Sequence, residues 1–223
     1  MPKSKRAQKV SLTKVQSKGR ERKTSLVEEV RGCADSYQSA YVLDAQNMRN
    51  MALKEVRAKL VGSRLFFGRT KLLSSALGRT VAEEHRDCLS QVAKALHGQG
   101  EAGLLFTNET KAKVQAVLDQ TQVDEFARAG CTATDDVELP EGPLLQFPHN
   151  MEAYLRKLGL PTRLLNGVVT LMAPYKVCTK GQALESDQAK LLQLLNIKMA
   201  TFKLTMRCRW TDGDFEPYEG MPE

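Results

Sequence analysis

Apolar residues alternate along this chain between blocks with helical spacing and blocks with strand spacing. Leu26, Val27, Val30, Cys33, Ala34 and Tyr37 recur at three- and four-residue steps behind Ser25 and Glu28, an S-x-x-E capping box, and predict an amphipathic helix. Ser39 to Ala45 (SAYVLDA) runs apolar without alternation, as a central strand does. From about Gln46 to Val61 the helical period returns. At 100° per residue Met48, Ala52, Leu53, Val56 and Leu60 fall within an arc of about 140°, while Asn50, Lys54 and Arg57 share a separate arc of about 60°. That helix carries a packing stripe and a basic stripe, with Met51 outside the core arc.

Leu65, Phe66 and Phe67 then read as a short buried strand that breaks at Gly68 and restarts at Arg69, Thr70 and Lys71 as a helix N-terminus. A longer helix is expected from about Thr80 to Leu96, with Val81, Cys88, Leu89, Val92, Ala95 and Leu96 inward, ending at the glycines after His97. Gly103 to Thr107 is the next strand and Thr110 to Gln120 the next helix. Strands alternating with helices predict an α/β layered fold, a mixed sheet covered by helices.

Near Val123 the pattern changes. Short strands are expected at Val137 to Leu139, Val168 to Leu171 and Tyr175 to Val177, with one short helix around Met151 to Leu158. From Ala183 the first pattern resumes: Ser186 and Asp187 cap a helix holding Leu191, Leu192, Leu194 and Leu195. Thr201 to Trp210 then alternates, Phe202, Leu204, Met206 and Cys208 against Lys203, Thr205, Arg207 and Arg209. The expected organisation is a disordered arm (1–22), a larger helix-covered domain in two parts (23–122 and 183–211), a smaller α/β domain inserted between them (123–182) and a tail (212–223).

Charge sharpens this outline. The net charge is +7, yet residues 1 to 23 hold nine Lys/Arg, among them Lys3, Lys5, Arg6, Lys9, Arg20, Arg22 and Lys23, against Glu21 alone. That segment is +8, so the other 200 residues total −1. A basic run poor in apolar residues cannot fold alone and suits an RNA arm or a nuclear targeting signal. Residues 119 to 141 are acidic, with Arg128 alone opposing, but no His accompanies them, so a solvated surface explains them better than a metal or acid–base site. No apolar run approaches the ~20 residues of a membrane helix. Five cysteines without a C-x-x-C pair point to reduced thiols, and a soluble intracellular chain is expected. Neither metal nor cofactor is expected.

The turn at Gly68 is the candidate site. N–H groups of a helix's first turn lack intrahelical partners and carry the positive end of the macrodipole, so cations beside them favour an anion. A nucleotide P-loop is excluded by spacing: Gly62 precedes the strand and Arg69 stands where Lys belongs. Few aromatics accompany the cations, which favours the backbone of folded RNA over stacked bases.

The run YVLDAQNMRNMALKEVRAKL followed by LVGSRLFFGRTKLLSSALGR, behind a basic N-terminus and one helix, resembles the stalk-base proteins of the large ribosomal subunit, the ribosomal L-ten and P-zero family. The resemblance covers about residues 20 to 211. It implies large-subunit rRNA as ligand and Arg49, Lys54, Arg57, Arg64, Gly68, Arg69, Thr70, Lys71 and Arg79 as contacts. Two departures stand out: the sequence stops at Glu223 without the family's stalk-docking helices, and it has a long basic arm. These features and the WTDGDFEPYEG ending are similar to the assembly-factor paralogue of that family. The paralogue implies a non-enzymatic ribosome biogenesis factor of the nucleus and nucleolus, with shuttling to the cytoplasm open. It would hold the stalk-base rRNA on pre-60S particles, beside neighbouring ribosomal proteins, until exchanged for the mature stalk protein. Neither stalk dimers nor a membrane is expected as a partner. The alternative is a stalk-base variant acting in translation.

Overall fold

The structure, a computed structural model, describes residues 20–97 and 101–218. In chain order it contains α1 (Arg20–Ser36), β1 (Ser39–Gln46), α2 (Asn50–Lys59), β2 (Arg64–Phe67), α3 (Thr70–Leu77), α4 (Leu89–Ala95), β3 (Glu101–Thr107) and α5 (Lys111–Gln120). There follow β4 (Val123–Glu125), β5 (Val137–Leu139), β6 (Gly142–Pro143), α6 (Glu152–Lys157), β7 (Thr162–Leu165), β8 (Val168–Leu171), β9 (Tyr175–Cys178), α7 (Ser186–Leu194), β10 (Ala200–Thr211) and β11 (Asp214–Pro217). The architecture is mixed α/β. The largest sheet has the order β11-β10-β1-β3-β2, with β4 also pairing β10.

The described residues divide into two compact units, residues 20–43, 62–97, 101–109 and 206–218, and residues 44–61 and 110–205. In the first, α1, α3 and α4 cover one face of the sheet. Val30, Ala34, Leu73, Leu77, Leu89 and Val92 pack on Ala40, Val42, Phe66, Leu104, Phe106, Cys208 and Trp210 in one core. Tyr41, Leu43 and Leu105, one residue out of phase, are also fully buried, which accounts for the apolar run without alternation in β1. Trp210 buries its ring and donates Nε1–H to the Asp87 carbonyl at 2.8 Å. All five cysteines are free, and burial pushes the Cys208 thiol up to about 12.

The second unit has its own core, in which Leu155, Leu158, Val169, Leu171 and Val177 meet Leu184, Leu191, Leu192 and Ala200. Its small sheets are β5-β9 and β6-β8-β7. Asn166 (φ 50°) and Gly167 (φ 81°) join β7 to β8 in a two-residue turn that needs positive φ at both positions. α2 and α5 pack together within this unit.

Several expected elements differ. α1 starts at Arg20, so Ser25 sits inside the helix rather than capping it, and Arg20, Arg22 and Lys23 are helical rather than part of an arm; the Arg/Glu/Lys run ahead of Ser25 has good helix propensity. β1 continues to Gln46 and Asn47 (φ 51°) turns the chain, leaving Met48 ahead of α2. The helix expected over 80–96 is broken: Val81–Glu83 is a 3-10 turn, Val81 is 80% exposed and Cys88 takes φ 63°. Glu84 causes the break. Its carboxylate accepts the Cys88 and Ser90 N–H groups at 3.1 and 3.0 Å, a local bond that competes with the helix. α7 is capped from Glu185 rather than Ser186, and its leucines enter the second core rather than returning to the first. Packing therefore changes within β10, near residue 205, rather than at 183.

Candidate nucleic-acid interface

β2 is held from both sides before the chain reaches Gly68. Phe66 is buried, and Phe67 lies across Gly103 so closely that a Cβ there would meet the ring at 2.6 Å. That glycine, which no sequence pattern singled out, is what lets the strand end seat. α3 is anchored by buried Leu73, Ala76 and Leu77, and Arg31 of α1 donates Nε–H to the Ala76 carbonyl at 3.0 Å, serving its C-terminal end. Gly78 (φ 100°) ends α3 where a Cβ would collide with the Glu83 carbonyl at 2.4 Å. The start of α3 is thus positioned by its core and its far end.

What is presented at that start is positive. Arg69 caps α3 with extended backbone, and its carbonyl accepts the Leu72 and Leu73 N–H groups at 2.9 and 3.3 Å. Thr70 and Lys71 come before the first intrahelical bond, so their N–H groups point out of the helix. The first turn has no acidic residue, and no side chain caps it. Arg69 and Lys71 are exposed, Thr70 is half-buried, and exposed Arg79 reaches back to donate to the Lys71 carbonyl at 3.4 Å. Gly68 is exposed with nothing within 4 Å of a Cβ built on it, so no contact inside the protein requires a glycine there. Arg69, Lys71 and Arg79 thus place exposed positive charge at the start of α3, where the macrodipole contributes about half a positive charge more.

Other candidates divide differently. Arg64 is exposed, pairs with Glu29 at the surface and lies over the Phe66 ring at 5.4 Å. The same neighbourhood raises the Cys33 thiol, through burial first and the Glu29 charge second, with Arg64 opposing. Arg49 departs from expectation. It is half-buried, 3.8 Å from Glu125, and donates to the Phe126 carbonyl, which makes it a strut of the second unit. Lys54 and Arg57 are exposed on α2, away from buried Ala52, Leu53 and Val56 as the helical angles required, and belong to the second unit. Arg22 and Lys23 are exposed on α1; Lys3, Lys5, Arg6 and Lys9 lie outside the described residues.

Residues 18–123 match the family described as Ribosomal protein L10, and residues 127–197 match the insertion domain described for the 60S member of that family. Ribosome assembly factor mrt4 of Schizosaccharomyces pombe is 41% identical over 92% of this chain and 89% of its own length. The chain belongs to the ribosome assembly factor mrt4 family. The mrt4 protein of Neurospora crassa is 39% identical over 98% of this chain and 93% of its own. Large ribosomal subunit protein uL10 of Saccharomyces cerevisiae is more distant, 27% identical over 89% of this chain and 62% of its own length. The mrt4 family is thus a relative of the stalk-base protein, sharing both its L10 domain and its insertion.

Proposed function

We propose that this mrt4-family chain binds large-subunit rRNA at the stalk-base site of nucleolar pre-60S particles and holds it until the mature stalk protein takes its place. The observation that carries this is the open, cation-lined start of α3, with Gly68 beside it and no carboxylate of its own to satisfy it. Arg69, Thr70, Lys71 and Arg79 are the contacts of the first unit; Lys54 and Arg57, exposed on α2, are the candidate contacts of the second unit taken by itself. Arg49 is instead committed to Glu125 and the Phe126 carbonyl, while Arg64, 54% exposed, is shared with the surface carboxylate of Glu29. Backbone phosphate is the recognised chemistry, and binding weakens with salt by about 0.7 to 0.9 in log K per log[salt] for each phosphate engaged. The basic residues Lys3, Lys5, Arg6 and Lys9 serve nuclear targeting and contact with the particle.

The test is association of the purified chain with a stalk-base fragment of large-subunit rRNA. Binding at about 50 mM salt, a steep salt dependence and loss on mutating Arg69 and Lys71 are expected. Retained affinity in that variant would sink the proposal. A stalk-base protein acting in translation is the second possibility, favoured by the uL10 similarity. Capture of acidic stalk dimers by the purified chain would decide for it.

A further inference from the structure

We propose that the free edge of β7 in the second unit accepts an extended, acidic-apolar peptide of a protein partner as an added strand. In the order β6-β8-β7, β7 has β8 as its single ladder partner among the described residues. The Met172 N–H donates to the Pro161 carbonyl at 2.9 Å, which marks that pair as hydrogen-bonded. Antiparallel alternation then makes Arg163/Thr170 and Leu165/Val168 the bonded pairs and turns the polar groups of Thr162 and Leu164 away from β8. Thr162 spends its N–H on the Leu160 carbonyl at 2.8 Å. The Leu164 N–H and C=O and the Thr162 C=O therefore face the open edge. The opposite edge is unlike it: β6 has two residues, and Pro143 has no N–H.

Side chains mark the same edge. Leu164 pairs with Val169 on the core face, yet Val169 is fully buried while Leu164 is 46% exposed, as for a strand lacking its next neighbour. On the outer face Leu165 and Met172 are 44% and 45% exposed, with exposed Arg163 between them. β6, β7 and β8 contain no acidic residue, and Arg163 is their single charge, although residues 119–141 are strongly acidic. A strand placing a carboxylate across from Arg163 and apolar groups over Leu164 and Leu165 satisfies both features. A second copy of this chain would instead bring two Arg163 side chains into one short ladder. RNA offers no strand hydrogen bonds.

The test uses the 15N-labelled full chain and two synthetic seven-residue peptides with two valines on each side of a central aspartate or lysine and a threonine at each end. The aspartate peptide is expected to shift the Leu164 amide resonance and slow its hydrogen exchange, and to bind about three- to ten-fold more tightly than the lysine peptide. Arg163→Glu should reverse that preference. Leu164→Pro should abolish binding of both, and the charge reversal stands independently if the proline variant misfolds. Equal binding of the two peptides, no response at Leu164, or a Leu164 shift that follows protein concentration would each overturn the proposal, the last by assigning the edge to self-association.

Discussion

The starts of α3 and α7 are opposite solutions to one problem. Every helix leaves N–H groups unmatched at its first turn. At α7 the chain answers them itself: Gln188 Oε1 accepts the Glu185 N–H at 2.9 Å, the Glu185 carboxylate faces the Gln188 N–H, and Asp187 adds negative charge. α4 is answered similarly by Glu84. At α3 the cap is an arginine, the first turn has no acid, and Lys71 and Arg79 add positive charge. A helix that repels its own cations at the positive end of its dipole gives up about 0.3–1 kcal/mol of available stabilisation. The difference is that α7 is answered by its own side chains, whereas no acidic or capping side chain answers the first turn of α3, which is where the proposed rRNA contact lies.

Breaking the contrast at its centre should have the largest effect. Arg69→Glu with Lys71→Glu should lower rRNA affinity by about 100-fold or more, since charged hydrogen bonds are worth roughly 1.5–3 kcal/mol each. The salt slope should fall by about 0.7 to 1.8. The melting temperature should hold or rise, and filter binding alongside thermal unfolding checks both. Giving α3 the solution used by α7 is the sharper experiment. Arg69→Asp should stabilise the protein by about 0.5–1 kcal/mol in urea unfolding while weakening RNA binding roughly ten-fold, two effects of opposite sign from one residue. Removing the cap of α7 tests the other half. Glu185→Ala with Gln188→Ala should cost about 1 kcal/mol of stability and leave rRNA affinity unchanged.

The smallest effect extends the contrast to a loop. The Asp136 carboxylate accepts the Lys180 N–H at 3.2 Å and pairs with Lys176 at 3.3 Å, and these contacts, the backbone bond first, hold its pKa below the usual carboxylate value. A lowered folded value means its contribution is present above the ordinary carboxylate pKa of about 3.9 and is lost as pH falls through the lowered one. Asp136→Asn should therefore reduce stability at about pH 6 and match the native protein in strong acid, as followed by urea unfolding across that range. A constant difference at all pH values would show that the carboxylate does not act through its charge.

Much of the fold was legible because it depends on local periodicity. The unalternating run in β1, the two stripes of α2 and the break at Gly68 are each written in neighbouring residues and have their counterparts in the structure, whereas the alternation of β10 holds over Ala200 to Leu204 and lapses at Thr205 to Cys208, where Met206 is half-buried and Arg207 is buried. The candidate site was legible to the same extent: Arg69, Thr70 and Lys71 follow a strand and a glycine, and they open α3. One misplaced element has a local cause. Val81 fits the helical period, but the Glu84 carboxylate captures the N–H groups that would have continued the helix. Only the tertiary structure decided which arginines are committed, since Arg49 meets Glu125 and, 77 positions away, the Phe126 carbonyl, while Arg64 meets Glu29. It also decided that α7 belongs to the second core. Periodicity is a property of near neighbours, whereas the partner of a long charged side chain is chosen by whatever distant segment folding brings within reach.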